Sequence, residues 1–542
     1  MKKIYIIAST IILFSIYSCT KLYNTNYGGI ISSQFVPSSA DVAALIGVAY
    51  TNWRSLELGR SANTIFRTNE ISADETVIPQ RPNGWVDGGI YQRMHYHRWT
   101  ADEDNCYQIW TNAYAGITNC NRLLYQIDTG LIPISSTEKP QFEAELKVLR
   151  ASFYYALIDF FGNVPIVTDF DVPDGFLPQQ STRSDVYSFI VSEITSNISS
   201  LSNVADATMY GRFNKWAAYA LLAKVYLNAE VYIGTADWKD CISACDSVIN
   251  SNLYSLEPLQ ENVFATDNSG SKEIIFAIPL DEVYTADGAT AFSLHMETLQ
   301  PENQATYNFQ NSPWGGICAI PQFINTFDPD DNRLKENWVQ GQQYTASGDI
   351  LLGTMDAYTG KPLTYINQLP GVDSSQEVHG FRLGKFQIKD GELVGMSNDF
   401  PLFRYADILM MKAESALRLG DAETAAQLVT QVRQRDFTAN PAKATVTASQ
   451  LEIQGSVYDY GLRNHLQSTE EGGGDIKYGR MLDELGWEFC QEGRRRQDMI
   501  RFGAFTTKSW LSHSPNGDYR TLLPIPTSAL QANGNLKQNP GY

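Results

Sequence analysis

Paired stretches of helical periodicity, joined by short turns, constrain the fold of this chain more than any other feature. Residues 104–127 place Ile109, Ala113, Ile117 and Leu124 on one stripe, and residues 138–161 do the same with Phe142, Leu146, Leu149, Phe153 and Leu157. Apolar positions recurring every three or four residues form one helix face that must be buried. The second stretch stops at Gly162, just before Val164-Pro165, which is a sound C-terminal signal. A helix is expected over 182–201 with Thr182 as its N-cap, another over 214–230, and a third over 237–250 after a turn containing Gly234 and Asp237. Residues 405–419 and 422–435 flank Gly420-Asp421 and read as two antiparallel helices joined by a tight turn.

Small residues sit where paired helices need close approach: Ala217, Ala218, Ala220 and Ala223 in one block, Ala406, Ala413 and Ala416 in another. Helix pairs of this kind look like tetratricopeptide units of about 34 residues, without a strict consensus. Stacked pairs bury a continuous core and leave a curved surface. The alternative is a generic irregular helical domain. Either way the fold class reads as mostly α.

Between about 252 and 400 helical periodicity fades, and Gly, Asn, Asp, Pro and aromatic residues accumulate. Short β-like runs appear, such as Glu273-Ile274-Ile275-Phe276-Ala277-Ile278. This reads as a long, irregular lobe inserted between helix pairs, and such stretches usually carry function. The expected organisation is an export signal over 1–18 and an N-terminal helical region over 19–251 that includes a loop at 76–100. The loop-rich lobe follows over 252–400, then helical pairs over 401–504 and an extended tail over 505–542. Pro524, Pro526 and Pro540 forbid helix in that tail.

The export signal consists of Met1-Lys2-Lys3, the almost wholly apolar run Ile4 to Tyr17, and the small residue Ser18. It is too short to span a bilayer, and no later apolar run reaches the ~20 residues of a transmembrane helix. A cut abutting Cys19 resembles the lipobox of bacterial lipoproteins, which implies a lipidated Cys19 and a protein moored by its acyl chains alone. The alternative is an ordinary export signal with Cys19 incidental. With 41 Lys and Arg against 60 Asp and Glu, the net charge is −19. That argues against a nucleic-acid surface and against binding to anionic headgroups, and it suits a neutral ligand or a protein partner. Six cysteines remain beyond Cys19, none at CxxC spacing. Cys241 and Cys245, at i,i+4 on a helix, read as buried free thiols.

Five segments in order resemble the RagB/SusD family of outer-membrane nutrient-binding lipoproteins. They are Leu149-Arg150-Ala151-Ser152-Phe153-Tyr154-Tyr155 running to Phe161-Gly162-Asn163-Val164-Pro165; Gly211-Arg212-Phe213 with Ala217 to Leu227; Phe403-Arg404-Tyr405-Ala406-Asp407 with Lys412-Ala413-Glu414; Glu488 to Arg495 with Asp498 to Gly503; and Leu523-Pro524-Ile525-Pro526 with Gln538-Asn539-Pro540-Gly541-Tyr542. The resemblance implies about four tetratricopeptide-like helical pairs as a scaffold and an irregular lobe carrying the ligand site. It also implies a partner, a SusC-like TonB-dependent transporter over which the lipoprotein sits as a lid. Thr20-Lys21-Leu22-Tyr23 departs from the acidic stretch often found after the anchor, so surface exposure rests on the resemblance.

The charged run Glu484 to Arg501 reads as structural. On a helix Glu488 and Glu492 share a face, Arg495 follows Glu492 by three, and Arg494 pairs with Asp498, each pair worth a few tenths of a kcal/mol if exposed. Arg404 with Asp407 or Glu414 would serve similarly between helices. His95-Tyr96-His97 would place two imidazoles on one face of a strand, but no third ligand lies nearby. Asp328, Asp330 and Asn332 begin like a calcium loop, yet Arg333 and Val339 stand where Gly and Glu are needed, so a capped turn is expected. No P-loop, dinucleotide fingerprint or GxSxG element occurs, and no enzyme activity, cofactor or metal is expected.

Two loops carry the chemistry of sugar recognition, which needs flat aromatic faces beside planar polar groups. One spans Gln80 to Gly89, with Trp85 flanked by Arg81, Asn83 and Asp87; the other spans Tyr307 to Gly316, with Tyr307 and Trp314 on a Pro/Gly turn. Trp53, Trp99 and Trp110 lie in or beside helical patterns and are expected in the core. The reading is a surface-tethered, non-catalytic protein that binds oligosaccharide or polysaccharide. The alternatives are the same fold binding peptide or glycopeptide, a pure protein-interaction scaffold, and a glycoside hydrolase.

Overall fold

The computed structural model describes residues 37–59, 64–82, 84, 86–285, 291–462, 469 and 471–542. Cys19 and the export signal lie outside these residues, as do Asn83 and Trp85. The helices that matter below are α1 (Ser39–Leu58), α2 (Ile65–Ile71), α3 (Ile90–His95), α4 (Asp104–Asp128), α5 (Lys139–Phe161), α6 (Arg183–Asn197), α7 (Lys215–Leu227), α8 (Trp238–Ile249), α9 (Tyr405–Arg418), α10 (Ala422–Arg433), α11 (Gly479–Phe489) and α12 (Arg495–Arg501).

Four helical pairs form the scaffold: α1 with α4, α5 with α6, α7 with α8, and α9 with α10. The α4–α5 and α8–α9 contacts join neighbouring pairs. Local chemistry starts the helices where the sequence places them. Ser38 with Asp41 and Thr182 with Asp185 make reciprocal capping boxes, and the Asn214 side chain accepts from the N–H groups of Trp216 and Ala217. The alanines of α7 and α9 are buried, as are Trp53, Trp99 and Trp110. At the α4–α5 contact a Cβ on Gly116 would lie 2.5 Å from the Phe153 ring, on which Trp53 stacks at 5.4 Å.

The lobe is built from strand pairs of two to five residues. Ile274–Ile278 pairs antiparallel with Phe400–Arg404, matching Phe400 to Ile278 and Arg404 to Ile274, and so zips the two ends of the lobe at its neck. Thr76–Val77 pairs with Cys318–Ala319 and ties the 76–100 segment to the lobe. Asp328 caps its own turn, accepting from the Asp330 N–H at 2.9 Å. The six described cysteines are buried and free.

Three expectations are corrected. The 76–100 segment contains helix α3, so His95 ends a helix and His97 sits in a turn at φ 50, not on a strand. Both imidazoles are buried, and His97 packs on His513 at 4.2 Å. The tail holds a short helix, Thr527–Ala532, which begins directly after Pro526, where proline is harmless.

The run Glu484 to Arg501 is neither one helix nor exposed: α11 ends at Phe489, Gln491 turns at φ 64, and α12 restarts at Arg495. Arg404, fully buried, donates to Glu273 Oε1 and Glu488 Oε1 at 2.7 Å each. It also reaches both oxygens of Glu492 at 2.8 and 2.7 Å. Arg435 and Arg333 reach the same Glu488, and Lys385 reaches Glu492. Burial opposes ionisation of Glu488, but Arg435, Arg404 and Arg333 outweigh it and hold the carboxyl well below its usual range. Arg494 does pair with Asp498, and α12 is clamped to α9 by Arg501 on Glu414 at 2.6 Å.

Candidate functional site

Three pieces of chain converge where the 76–100 segment meets the lobe. Trp314, Gly315, Gly316 and Ile317 donate their N–H groups to carbonyls of Met296, Leu299 and Glu297 at 2.7–3.0 Å, which fixes the Trp314 turn on the lobe. Gly315 holds φ 69, and a Cβ there would lie 2.8 Å from Gln300, so the turn requires glycine.

Trp314 and Tyr307 are half-buried and pack on a small apolar cluster of Met296, Leu299 and Phe309. Tyr307 stacks on Phe309 at 5.2 Å with their planes 14° apart. Burial pushes its hydroxyl up to about 12. Asn308, at φ 53, donates to Asp390 at 2.7 Å, and the Gly391 N–H donates to the Tyr307 carbonyl at 2.6 Å. These aromatic side chains are therefore partly open yet held by a rigid turn.

A chain of polar groups runs from the interior outward, starting at Glu297, whose carbonyl accepts from the N–H groups of Gly316 and Ile317. Arg67 on α2 donates to Glu297 at 2.7 Å and to the Tyr91 hydroxyl at 3.4 Å; Tyr91 in turn donates to Asp87 at 2.6 Å. Arg67, Tyr91 and Glu297 are buried, and Asp87 is exposed at φ 40 in the turn that opens α3. Burial works against the Arg67 charge, but Glu297 outweighs it and the guanidinium stays ionised. Burial also drives the Tyr91 hydroxyl well above its ordinary value, so it acts as a fixed neutral donor to Asp87.

Arg81 is corrected. It is buried and its donors are spent inside the protein: on Gly316 O at 3.1 Å, His379 O at 2.7 Å, Gln376 O at 3.3 Å and Cys318 Sγ at 3.1 Å. Burial, with Arg382 nearby, lowers it to about 10. It clamps the 76–100 segment to the stretch Gly316–Cys318 that follows Trp314 instead of reaching outward. Trp85 and Asn83 lie outside the described residues, so of the expected set Asp87, Tyr307 and Trp314 remain at the surface. Arg67, Tyr91 and Glu297 were not anticipated, because an arginine on a seven-residue helix gives no local signal of a partner 230 residues away.

Chemically the arrangement offers aromatic faces and oriented hydrogen-bonding groups. The Glu297 carboxylate is engaged by Arg67 at 2.7 Å. Among the described residues no group of three His, Cys, Asp or Glu could hold a metal ion.

Comparison with known proteins gives consistent results. The profile of the SusD family matches residues 272–542, and a profile described as starch-binding, associating with the outer membrane, matches residues 21–227. The chain is 25% identical over 523 residues to the starch-binding protein SusD of Bacteroides thetaiotaomicron, covering 88% of this chain and 85% of that one. Its fold matches a laminarin-binding SusD-like protein with a TM-score of 0.70 at 22% identity, over 94% of this chain and all of the other. It also matches surface glycan-binding protein A from Bacteroides thetaiotaomicron in complex with laminarihexaose, with a TM-score of 0.68 at 18% identity, over 93% of this chain and all of that one.

Proposed function

This chain belongs to the SusD family, and on that premise we propose that it is a non-catalytic glycan-binding protein of the outer membrane. One observation carries the reading: the half-open Trp314 and Tyr307 rings pack on Met296, Leu299 and Phe309, and the turn after Trp314 is bonded to Glu297, which anchors the Arg67–Tyr91–Asp87 chain. Aromatic faces take the C–H side of a pyranose ring, and oriented polar groups take its hydroxyls. Covering one ring face removes about 60 Å² of apolar surface, worth ~1.5 kcal/mol at ~25 cal/mol/Å². Asp87 and, from the sequence alone, Trp85 and Asn83 are proposed for the same ligand. A relative named for starch binding and a structural neighbour named for laminarin binding support a neutral glucan as the ligand class. Anchoring through a lipid on Cys19, exposure at the cell surface and transfer of ligand to a SusC-like TonB-dependent transporter complete the proposal.

Native affinity electrophoresis in gels containing starch or laminarin tests it. The wild-type chain is expected to be retarded by at least one polymer, and Trp314→Ala and Trp85→Ala are each expected to weaken retardation about ten-fold, the equivalent of ~1.4 kcal/mol. Reducing sugar should not accumulate in the incubated mixture. Unchanged migration of both variants would remove the proposed site, and release of sugar would overturn the non-catalytic assignment.

A further inference from the structure

Three of the six histidines, His95, His97 and His513, meet at the far end of α3, the helix that carries Tyr91 and follows the Asp87 turn. All three are fully buried. Ring centre to ring centre, His513 lies 4.2 Å from His97 and 6.2 Å from His95. Aromatic side chains wall them in: His97 lies 4.2 Å from Phe505 and 5.0 Å from Trp99, and His513 stacks on Trp510 at 3.9 Å.

A carbonyl oxygen can only accept, so a ring nitrogen that faces one must carry the proton. His95 donates from Nε2 to Leu511 O at 2.7 Å, His97 from Nε2 to Ser72 O at 2.8 Å, and His513 from Nδ1 to His95 O at 2.9 Å. Asn516 donates to His97 O at 2.7 Å. Together these bonds join the residue after α2, the bend after α3 and the stretch 510–516. Both the bend and the stretch hold backbone that L side chains seldom adopt: His97 at φ 50, Leu511 at φ 20 and Ser512 at φ 65. Such backbone persists only where its surroundings hold it.

The fastening holds only while the rings are neutral. A second proton would sit on His97 Nδ1 or His513 Nε2, both buried and, among the described residues, without a hydrogen-bond partner. The cations Arg98 of the bend, Arg496 of α12 and Arg520 of the tail face the cluster; against them stands Asp373, which faces His95 and accepts from Tyr96 at 3.0 Å. Burial lowers His95 to about 4. Burial, with His95, Arg496 and Arg520 nearby, lowers His97 to about 3. Burial, with the other two imidazoles and Arg98, holds His513 well below its usual 6.5. Rings freed into water return to about 6.5, so the closed form is fully favoured above that pH and loses ground as pH falls below it. Between pH 7 and pH 5 each freed ring shifts the balance toward the open form by about 20-fold.

We infer that His95, His97 and His513 form an acid-released clasp. Neutral, they fasten the end of α3 to the 510–516 stretch; protonated, they let both go before the helical scaffold unfolds. Opening would loosen Tyr91 and Asp87, the polar end of the proposed sugar site. The clasp itself does not rest on that reading and is tested without any ligand.

The test is hydrogen exchange of the full chain, read by mass spectrometry at pH 7 and pH 5 and corrected for the intrinsic pH dependence of exchange. In the wild type, protection over 93–98 and 509–516 is expected to fall at least about 20-fold, to values below those of α5. His97→Gln keeps a donor for Ser72 O, and His513→Asn keeps one for His95 O, yet neither new side chain titrates. One or both variants should therefore shrink the fall by about 20-fold. A smaller fall in the wild type, or protection that stays level with α5 at pH 5, would overturn the clasp even if both variants failed to fold. So would a fall left unchanged in both folded variants.

Discussion

Replacing Arg404 by methionine should be among the most damaging single changes available in this protein. Methionine keeps the length and apolar bulk of the side chain and removes only the charge. The guanidinium it deletes is fully buried and contacts Glu273, Glu488 and Glu492 at 2.7–2.8 Å. Adding its charged hydrogen bonds at ~1.5–3 kcal/mol each would overshoot, because the variant also sheds the cost of burying the cation. What remains is the penalty for carboxylates left short of a partner, about 3–5 kcal/mol. Guanidinium unfolding followed by tryptophan fluorescence measures it, with Lys443→Met, at a half-exposed surface pair, as a control expected to change nothing. The effect carries a pH signature. Glu488 and Glu492 titrate below their usual value of 4.5 in the folded chain, so their stabilising contribution is present above pH 4.5 and lost as pH falls through the folded value. Without Arg404 those carboxyls titrate higher, so the wild-type advantage should be complete at pH 7 and shrink below pH 4.5. A gap under about 1 kcal/mol at pH 7, or one equally wide at pH 4, would refute this account of the cluster.

Two further substitutions test the packing and the clamp. Gly116→Ala should destabilise by about 1–3 kcal/mol in urea despite alanine's better helix propensity, because the new methyl would meet the Phe153 ring at 2.5 Å. Arg81→Met should cost about 1–3 kcal/mol and speed proteolysis within the 76–100 segment, since the carbonyls of Gly316 and His379 lose their donor. Thermal melts and limited trypsin digestion read the Arg81 change, and equal cleavage rates would contradict the clamp.

The scaffold was legible in the sequence because its determinants are local. Apolar spacing in α4 and α5, the Thr182 and Asn214 caps, and the alanines of α7 and α9 each act within a few residues of where they are written. Trp314 and Tyr307 could be singled out as candidates for the same reason, since a Trp on a Pro/Gly turn is a local signal, and the structure leaves both half-buried on an apolar cluster. The polar partners in this region are not local. Arg67 meets Glu297 across 230 residues, and Arg81 meets Gly316 across 235. Read by its neighbours alone, Arg67 gives no sign of a role, and Arg81 beside Asn83 and Trp85 has the features of a ligand contact. The charged run was legible only in part for the same reason: the i,i+4 pair Arg494–Asp498 forms, whereas Glu488 and Glu492 take their partners, Arg404, Arg435, Arg333 and Lys385, from other elements.

The energetics of the proposed aromatic shelf also bear on how such a protein would work. Two stacked ring faces at ~1.5 kcal/mol each, with a few net hydrogen bonds of ~1 kcal/mol, give affinities between millimolar and micromolar. At an association rate of about 10⁶ M⁻¹s⁻¹, a dissociation constant of about 100 μM corresponds to release on the order of 100 times per second. A site built that way holds a sugar for about ten milliseconds, long enough to concentrate a polymer on many copies yet short enough to yield it to a neighbour. Rigidity is what makes so weak a site specific: the Gly315 turn, the Arg81 clamp and the buried Arg67–Glu297 pair fix the rings and polar groups before any ligand arrives, so little conformational entropy is lost on binding.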